Sequence, residues 1–231
     1  DTLSNLGSNT AAVTAAGTVV VNGGAITVAN SLVANALTGG TKQYVLADTT
    51  ANLLAAPTAT VSGATAVSST DDGAITVADM NDLVTKYGVT KLNDSNIAVT
   101  DTVANLQNLS ANSVAEANSI VRSSGSATSS ELDALVTLCG GKVPANIPVS
   151  DTASNLVTAV GDSTSLANLV AHLAGTITVT GNATVEQIQA INSAAGIGEV
   201  ANTFEIVDTA ANIAAATSGE ALNVIQDAAK I

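Results

Sequence analysis

Hydrophobic and polar positions alternate immediately before four of the aspartates, and the apolar spacing changes to three and four further on. Tyr44 and Leu46 precede Asp48, Ile97 and Val99 precede Asp101, Ile147 and Val149 precede Asp151, and Phe204 and Ile206 precede Asp208. Alternation over so short a stretch predicts a half-buried strand. Met80, Leu83, Val84 and Tyr87, and later Leu132, Leu135, Val136 and Cys139, have the spacing of one helix face. Glycines follow at Gly39-Gly40, Gly88, Gly140-Gly141 and Gly196. A left-handed residue there would end each helix.

The pattern recurs along the whole chain. Asp1-Thr-Leu-Ser-Asn-Leu6, Asp48-Thr-Thr-Ala-Asn-Leu53, Asp101-Thr-Val-Ala-Asn-Leu106, Asp151-Thr-Ala-Ser-Asn-Leu156 and Asp208-Thr-Ala-Ala-Asn-Ile213 share D-T-x-x-N-[LI], at spacings of 47, 53, 50 and 57 residues. A second series lies between them at Ala25-Ile-Thr-Val28, Ala74-Ile-Thr-Val77 and Thr176-Ile-Thr-Val179, with a worn copy near Ser126-Ala-Thr128. The approximate units are 1–47, 48–100, 101–150, 151–207 and a partial 208–231, making one array of repeats of about 50 residues. Asp at a strand-to-helix junction is a favoured N-cap, so Asp1, Asp48, Asp101, Asp151 and Asp208 are predicted helix caps. Asn5, Asn52, Asn105, Asn155 and Asn212 lie one turn further along the same faces and predict an amide ladder stacked between units.

A short strand, a one-faced helix and another strand, repeated, predict an α/β fold: a right-handed solenoid of strand–helix coils with a continuous parallel sheet. A parallel β-helix is the alternative, disfavoured by the three-and-four spacing.

Composition supports a thin, repeated interior. Aromatic residues make up 1% of the 231 residues and Trp is absent, so the 46% hydrophobic content comes almost wholly from small aliphatic side chains. The net charge of −13 argues against nucleic acid and anionic lipid as partners, since both need clustered Lys or Arg. No apolar run is long enough for a membrane span, so membrane insertion is not expected. The first residues lack the charged start and apolar stretch of a signal peptide, and Asp1 is expected not to be the first residue translated. The single cysteine, Cys139, excludes an internal disulfide framework.

Residues with reactive side chains have plain structural readings. His172 is the sole histidine, offset from the face defined by Leu166, Leu169, Val170 and Leu173, and reads as a surface residue. Cys139 occupies the slot that Tyr87 fills in an earlier copy and reads as core. Leu138-Cys-Gly-Gly-Lys142 lacks the full phosphate-loop pattern and matches Leu37-Thr-Gly-Gly-Thr-Lys42, hence a helix stop. Asp71-Asp72 and Asn93-Asp94-Ser95-Asn96 are oxygen-rich turns without the alternating ligands and final Glu of an EF-hand. No catalytic, cofactor or metal residue is predicted, calcium at these two turns being the one alternative. A repeated residue is also a poor catalyst, because an active site is one place.

The D-T-x-x-N-[LI] segments, preceded by strands such as Phe204-Glu-Ile-Val207 and joined by helices of the Thr184-Val-Glu-Gln-Ile188 type, resemble the tandem repeats of very long secreted bacterial surface proteins, namely RTX-like adhesins and surface-layer or cell-surface repeat proteins. The resemblance covers essentially the whole chain and identifies a style of repeat. It implies export, an extracellular or cell-surface location and a structural part. The calcium-binding glycine-rich nonapeptides of true RTX blocks are absent from this sequence, so calcium ligation is not implied. The expected function is a structural segment, not an enzyme, that self-associates into a surface layer, filament or sheath, with copies of itself or adjoining repeats as partners. A stalk or spacer of a large adhesin, or accessory repeats of a secreted enzyme, are the alternatives. Asp1 at one end, and Leu222, Ile225 and Ala228 leading to Lys230-Ile231 at the other, would present unpaired coil faces for head-to-tail stacking.

Overall fold

The computed structural model describes residues 1–71, 73–92, 97–194, 196, 200–201 and 204–216, the side chains of 174–176 excepted. Asp72, the turn 93–96 and the C-terminal residues Leu222, Ile225, Ala228, Lys230 and Ile231 lie outside the described residues.

Short elements follow one another closely. Helices α1 (Leu3–Ser8) and α2 (Thr10–Ala15) lead to strand β1 (Thr18–Val20), and α3 (Val28–Ala36) leads to β2 (Thr41–Asp48). Then come α4 (Thr50–Ala55), α5 (Thr58–Gly63), β3 (Ala64–Ser69), α6 (Val77–Tyr87), α7 (Val89–Leu92) and β4 (Ala98–Thr102). The middle of the chain contains α8 (Val103–Leu106), α9 (Ala111–Glu116), β5 (Ser119–Ser124), α10 (Ser129–Cys139) and β6 (Ile147–Thr152). It is followed by α11 (Ala153–Gly161), α12 (Ser163–His172), β7 (Leu173–Thr180), β8 (Asn182–Ala183), α13 (Val185–Asn192), β9 (Glu205–Ile206) and α14 (Ala210–Ala215). Two compact units result, one of residues 1–100 with 109–120, the other of 101–108 with 121–231.

Among the described residues, the continuous sheet expected from the sequence does not form. Pairing is divided among separate short parallel sheets: β1-β2-β3, β4-β5, β6-β7 and β8-β9. The fold is therefore α/β with short strands and many short helices, and neither the predicted solenoid nor the parallel β-helix describes it. Two features interrupt the ladders. Register shifts occur between Tyr44 and Val45 and between Ile147 and Val149. The second repeated series also scarcely forms strands: Ile26, Ile75 and Ala127 each make one isolated parallel bridge, to Leu46, Val99 and Val149. A threonine one residue later already caps a helix, so the chain leaves the sheet before a second bridge can form. In the fourth copy, Thr176–Val179 lies inside β7, and the cap equivalent to the others is Thr184, six residues after Thr178, at the start of α13.

The alternating residues do point inward. Tyr44 and Leu46 in the first unit, and Ile147, Val149, Phe204 and Ile206 in the second, are buried. Met80, Leu83, Val84 and Tyr87 are the buried face of α6, and Leu132, Leu135 and Cys139 that of α10. Gly88 and Gly140 end these two helices at φ of 75° and 52°, positive values that favour glycine, but at ψ of 157° and −130° neither adopts the left-handed helical turn expected there. Gly39, at φ 90°, has a further reason to lack a side chain, because a Cβ there would run into the backbone of Val13 and Thr14.

Candidate functional site

The five D-T-x-x-N segments build one arrangement five times, and the cap is not the aspartate. Thr2, Thr49, Thr102, Thr152 and Thr209 are the N-cap residues, and each hydroxyl accepts from the backbone N–H of the Asn three residues later. The Asp sits one residue earlier because the strand continues through it, as β2 does to Asp48 and β6 to Thr152. Its Oδ1 accepts from the threonine N–H and from the asparagine Nδ2. For Asp151 both distances are 2.8 Å, from Thr152 and Asn155. Asn5, Asn52, Asn105 and Asn212 make the same side-chain bond to Asp1, Asp48, Asp101 and Asp208 at 2.7–2.8 Å. The amide donor is thus used inside its own segment, and the expected ladder between units is replaced by this local brace.

The second carboxylate oxygen reaches a different helix. Asp48 Oδ2 accepts from the N–H of Val28, at 2.9 Å, and Asp208 Oδ2 from that of Val185, at 3.1 Å. Asp151 Oδ2 accepts from both the N–H and the Oγ of Ser129, at 3.0 and 2.7 Å. Asp71, from one of the oxygen-rich turns, does the same for Thr50, at 2.8 Å. Val28, Thr50, Ser129 and Val185 are all the first residues of helices, α3, α4, α10 and α13. The first N–H of a helix has no intrahelical partner, and a threonine cap satisfies only the third. Each of these carboxylates therefore supplies the acceptor that a helix some twenty residues earlier in the chain lacks. Asp48 and Asp151 also join that helix to the one they precede.

These bonds depress the aspartate pKa values. Burial pushes Asp48 and Asp151 up, but donors outweigh it: Asn52, Val28 and Thr49 around Asp48, and Ser129, Asn155 and Thr152 around Asp151. Asp208 is lowered by Asn212 first, then by the Thr209 N–H, and Asp71 by the hydroxyl and N–H of Thr50. Asp162, the N-cap of α12, is lowered by the N–H groups of Ser165 and Thr164.

Lysines serve the opposite helix ends in the first unit. Lys86 Nζ donates to the carbonyl of Leu54 in the last turn of α4, Lys91 Nζ to that of Val61 in α5, at 2.6 Å, and Lys42 Nζ to Gly39 and Gly40 just beyond α3. Cations at C-terminal carbonyls complement the helix dipole, as carboxylates do at N-terminal amides. Lys86 and Lys91, like Asp48, Asp71, Asp151 and Asp208, thus tie one segment to another.

The remaining candidates carry little chemistry. His172, in the last turn of α12, is half-buried and not fully exposed as the sequence suggested. Cys139 is buried, with its thiol pKa raised by burial, in the slot that Tyr87 fills in α6. Residues 140–142 form one turn of 3-10 helix after α10. Among the described residues, no group of three or more His, Cys, Asp or Glu could hold a metal ion, and no helix is long and apolar enough to cross a membrane. Open clefts are shallow: one of about 240 Å³ lies beside the Asp208 bracket, lined by Val185, Glu186 and Gln189, and one of about 460 Å³ lies beside Lys42. No family model, curated protein or solved structure matches this chain.

The cap threonines escaped the sequence reading, although a signal was present. Thr27, Thr76, Thr128 and Thr184 are followed three residues later by Asn30, Asp79, Glu131 and Gln187, the same T-x-x-polar spacing as in the Asp series. Thr128 with Glu131, and Thr184 with Gln187, form complete capping boxes.

Proposed function

We propose that this chain is a structural repeat segment of a bacterial surface protein, acting outside the cell and associating with copies of itself in a layer, filament or sheath. Multiplicity is the observation that carries the reading. The carboxylate that would draw attention in a single copy recurs at Asp1, Asp48, Asp101, Asp151 and Asp208, each time filled by the chain's own Thr and Asn donors. A ligand or reaction site needs groups left free for a ligand, whereas these are spent on holding helix starts in place. The acidic, aromatic-poor composition suits a soluble scaffold exposed to the medium. Light scattering and negative-stain electron microscopy over a concentration series test the proposal. Ordered assemblies that grow with concentration support it. A chain that stays monomeric throughout contradicts self-association and leaves a spacer role.

A further inference from the structure

Helix α3 is built inside out. Its sequence, Val28-Ala-Asn-Ser-Leu-Val-Ala-Asn-Ala36, buries Ser31 and Ala34 and exposes Leu32 and Val33, at 49% and 55% of their surface. Ala29 and Ala36 are exposed too, so Ala29, Leu32, Val33 and Ala36 form an i, i+3, i+4, i+7 apolar stripe facing solvent. Equivalent helices do the reverse. Four residues after the cap threonine, the core position is Met80 in α6, Leu132 in α10 and Ile188 in α13, but Ser31 in α3, whose hydroxyl bonds Val28 O and Thr60 Oγ1. One residue further on, Asn81 accepts from Ser110 and Ser113, and Asp133 accepts from Ser165 and Asn168. Leu32 occupies that slot in α3.

The same stretch of sequence carries no charge, and the charge that the fold brings to α3 is the Asp48 carboxylate, already bonded to the Val28 N–H. Residues 2–41 contain no acidic, basic or histidine side chain, so all charged side chains except Asp1 lie beyond them in a chain of net charge −13. Like-charged copies repel at contact distances, which fall inside the screening length of about 8 Å at physiological salt. Contact is least opposed where carboxylates are missing. A helix that docks on a lipid surface carries Lys or Arg beside its apolar face, and this one has none.

We infer that the α3 stripe is the surface through which one copy of this chain binds a second, across a two-fold axis. In an antiparallel pair, Ala29 of one copy meets Ala36 of the other, and the small residues let Leu32 and Val33 pack at the centre. This rests on the proposed self-association and names its contact. Four side chains a side are far fewer than the roughly 20–30 residues of a standard interface, so the pair binds weakly, and because a two-fold pair closes on itself a layer or filament needs a second contact elsewhere on the chain.

Sedimentation velocity on the full chain tests it. The double variant Leu32→Glu/Val33→Glu should weaken association by about tenfold or more, with the circular dichroism spectrum unchanged. Val170→Glu/Val207→Glu adds the same charge at two other exposed valines, 48% and 51% exposed, and should leave association within about twofold. Leu32→Cys should give a disulfide-linked dimer on mild oxidation, and Val170→Cys should not. If the native chain associates but both double variants weaken it equally, or Leu32→Cys fails to cross-link, the assignment to α3 is wrong. If the native chain never associates, the self-association reading fails as well.

Discussion

Replacing Asp151 by Asn separates a carboxylate that serves two helices from an ordinary cap. At an N-cap, Asn and Asp are interchangeable, and the change would cost a few tenths of a kcal/mol. Here Oδ1 faces two donors, Thr152 N–H and Asn155 Nδ2, while Oδ2 faces two more, the N–H and Oγ of Ser129. An amide puts an NH2 against one of these pairs whichever way it is turned. Asp151 is 4% exposed and its bonds to Ser129 are buried, but Thr152 and Asn155 are exposed residues, so the amide turns its NH2 toward them and water takes over part of their bonding. Turning an NH2 against these two part-buried donors and losing the charge-assisted character of the Ser129 bonds costs about 1–3 kcal/mol in total. That is an appreciable part of the 5–15 kcal/mol or so that stabilises a domain. Urea unfolding followed by circular dichroism measures it. The double change Asp151→Asn/Asn155→Asp should recover part of the loss, because the new amide can donate to the new carboxylate. Asp151→Asn within about 0.5 kcal/mol of the native chain would refute the two-sided role.

Asp1→Ala, at an exposed bracket with no second helix attached to its Oδ2, should cost about 0.5–1 kcal/mol by the same assay, well below Asp151→Ala. Acid should unfold the chain in a definite direction. The folded pKa values of Asp48, Asp71, Asp151 and Asp208 lie below the ordinary 3.8, so the folded state binds fewer protons there. Their stabilisation is complete above 3.8 and disappears as the pH falls through the folded values, and a pH titration of urea midpoints that stayed flat down to pH 2 or so would contradict this. Gly39→Ala should destabilise strongly through its collision with the Val13 and Thr14 backbone, whereas Gly161→Ala, helical and in open space, should stabilise by about 0.4–1 kcal/mol in thermal melts. The Cys139 thiol should react with a disulfide reagent only as fast as the second unit opens.

The period-two runs before Asp48, Asp101, Asp151 and Asp208 correctly located buried residues, with Ile97 and Phe204 just outside strands, and the three-and-four spacing located α6 and α10, because both patterns report only on which side chains face inward. Sheet continuity was not legible in the same way. It depends on how many residues pass between the strand and the cap, and Thr27, Thr76 and Thr128 capture the chain one residue after a single bridge. The aspartates were recognised as important at helix starts but were assigned to the wrong helix position. Their second role lay beyond local pattern, since Ser129 and Asp151 are joined only by the fold. Helix α3 shows the same limit from the other side. Its sequence has a clean apolar stripe, and only its burial reveals that the stripe faces outward.

The central claim, that carboxylates hold helix starts belonging to other segments, can be read amide by amide. The first N–H of a helix ordinarily exchanges with solvent almost as fast as in an unfolded chain. Hydrogen exchange by NMR should instead find the N–H groups of Val28, Thr50, Ser129 and Val185 protected, and Asp151→Ala should remove the protection at Ser129 while leaving that at Val28 intact. Rapid exchange at Ser129 in the native chain, or protection there that survives Asp151→Ala, would contradict the account.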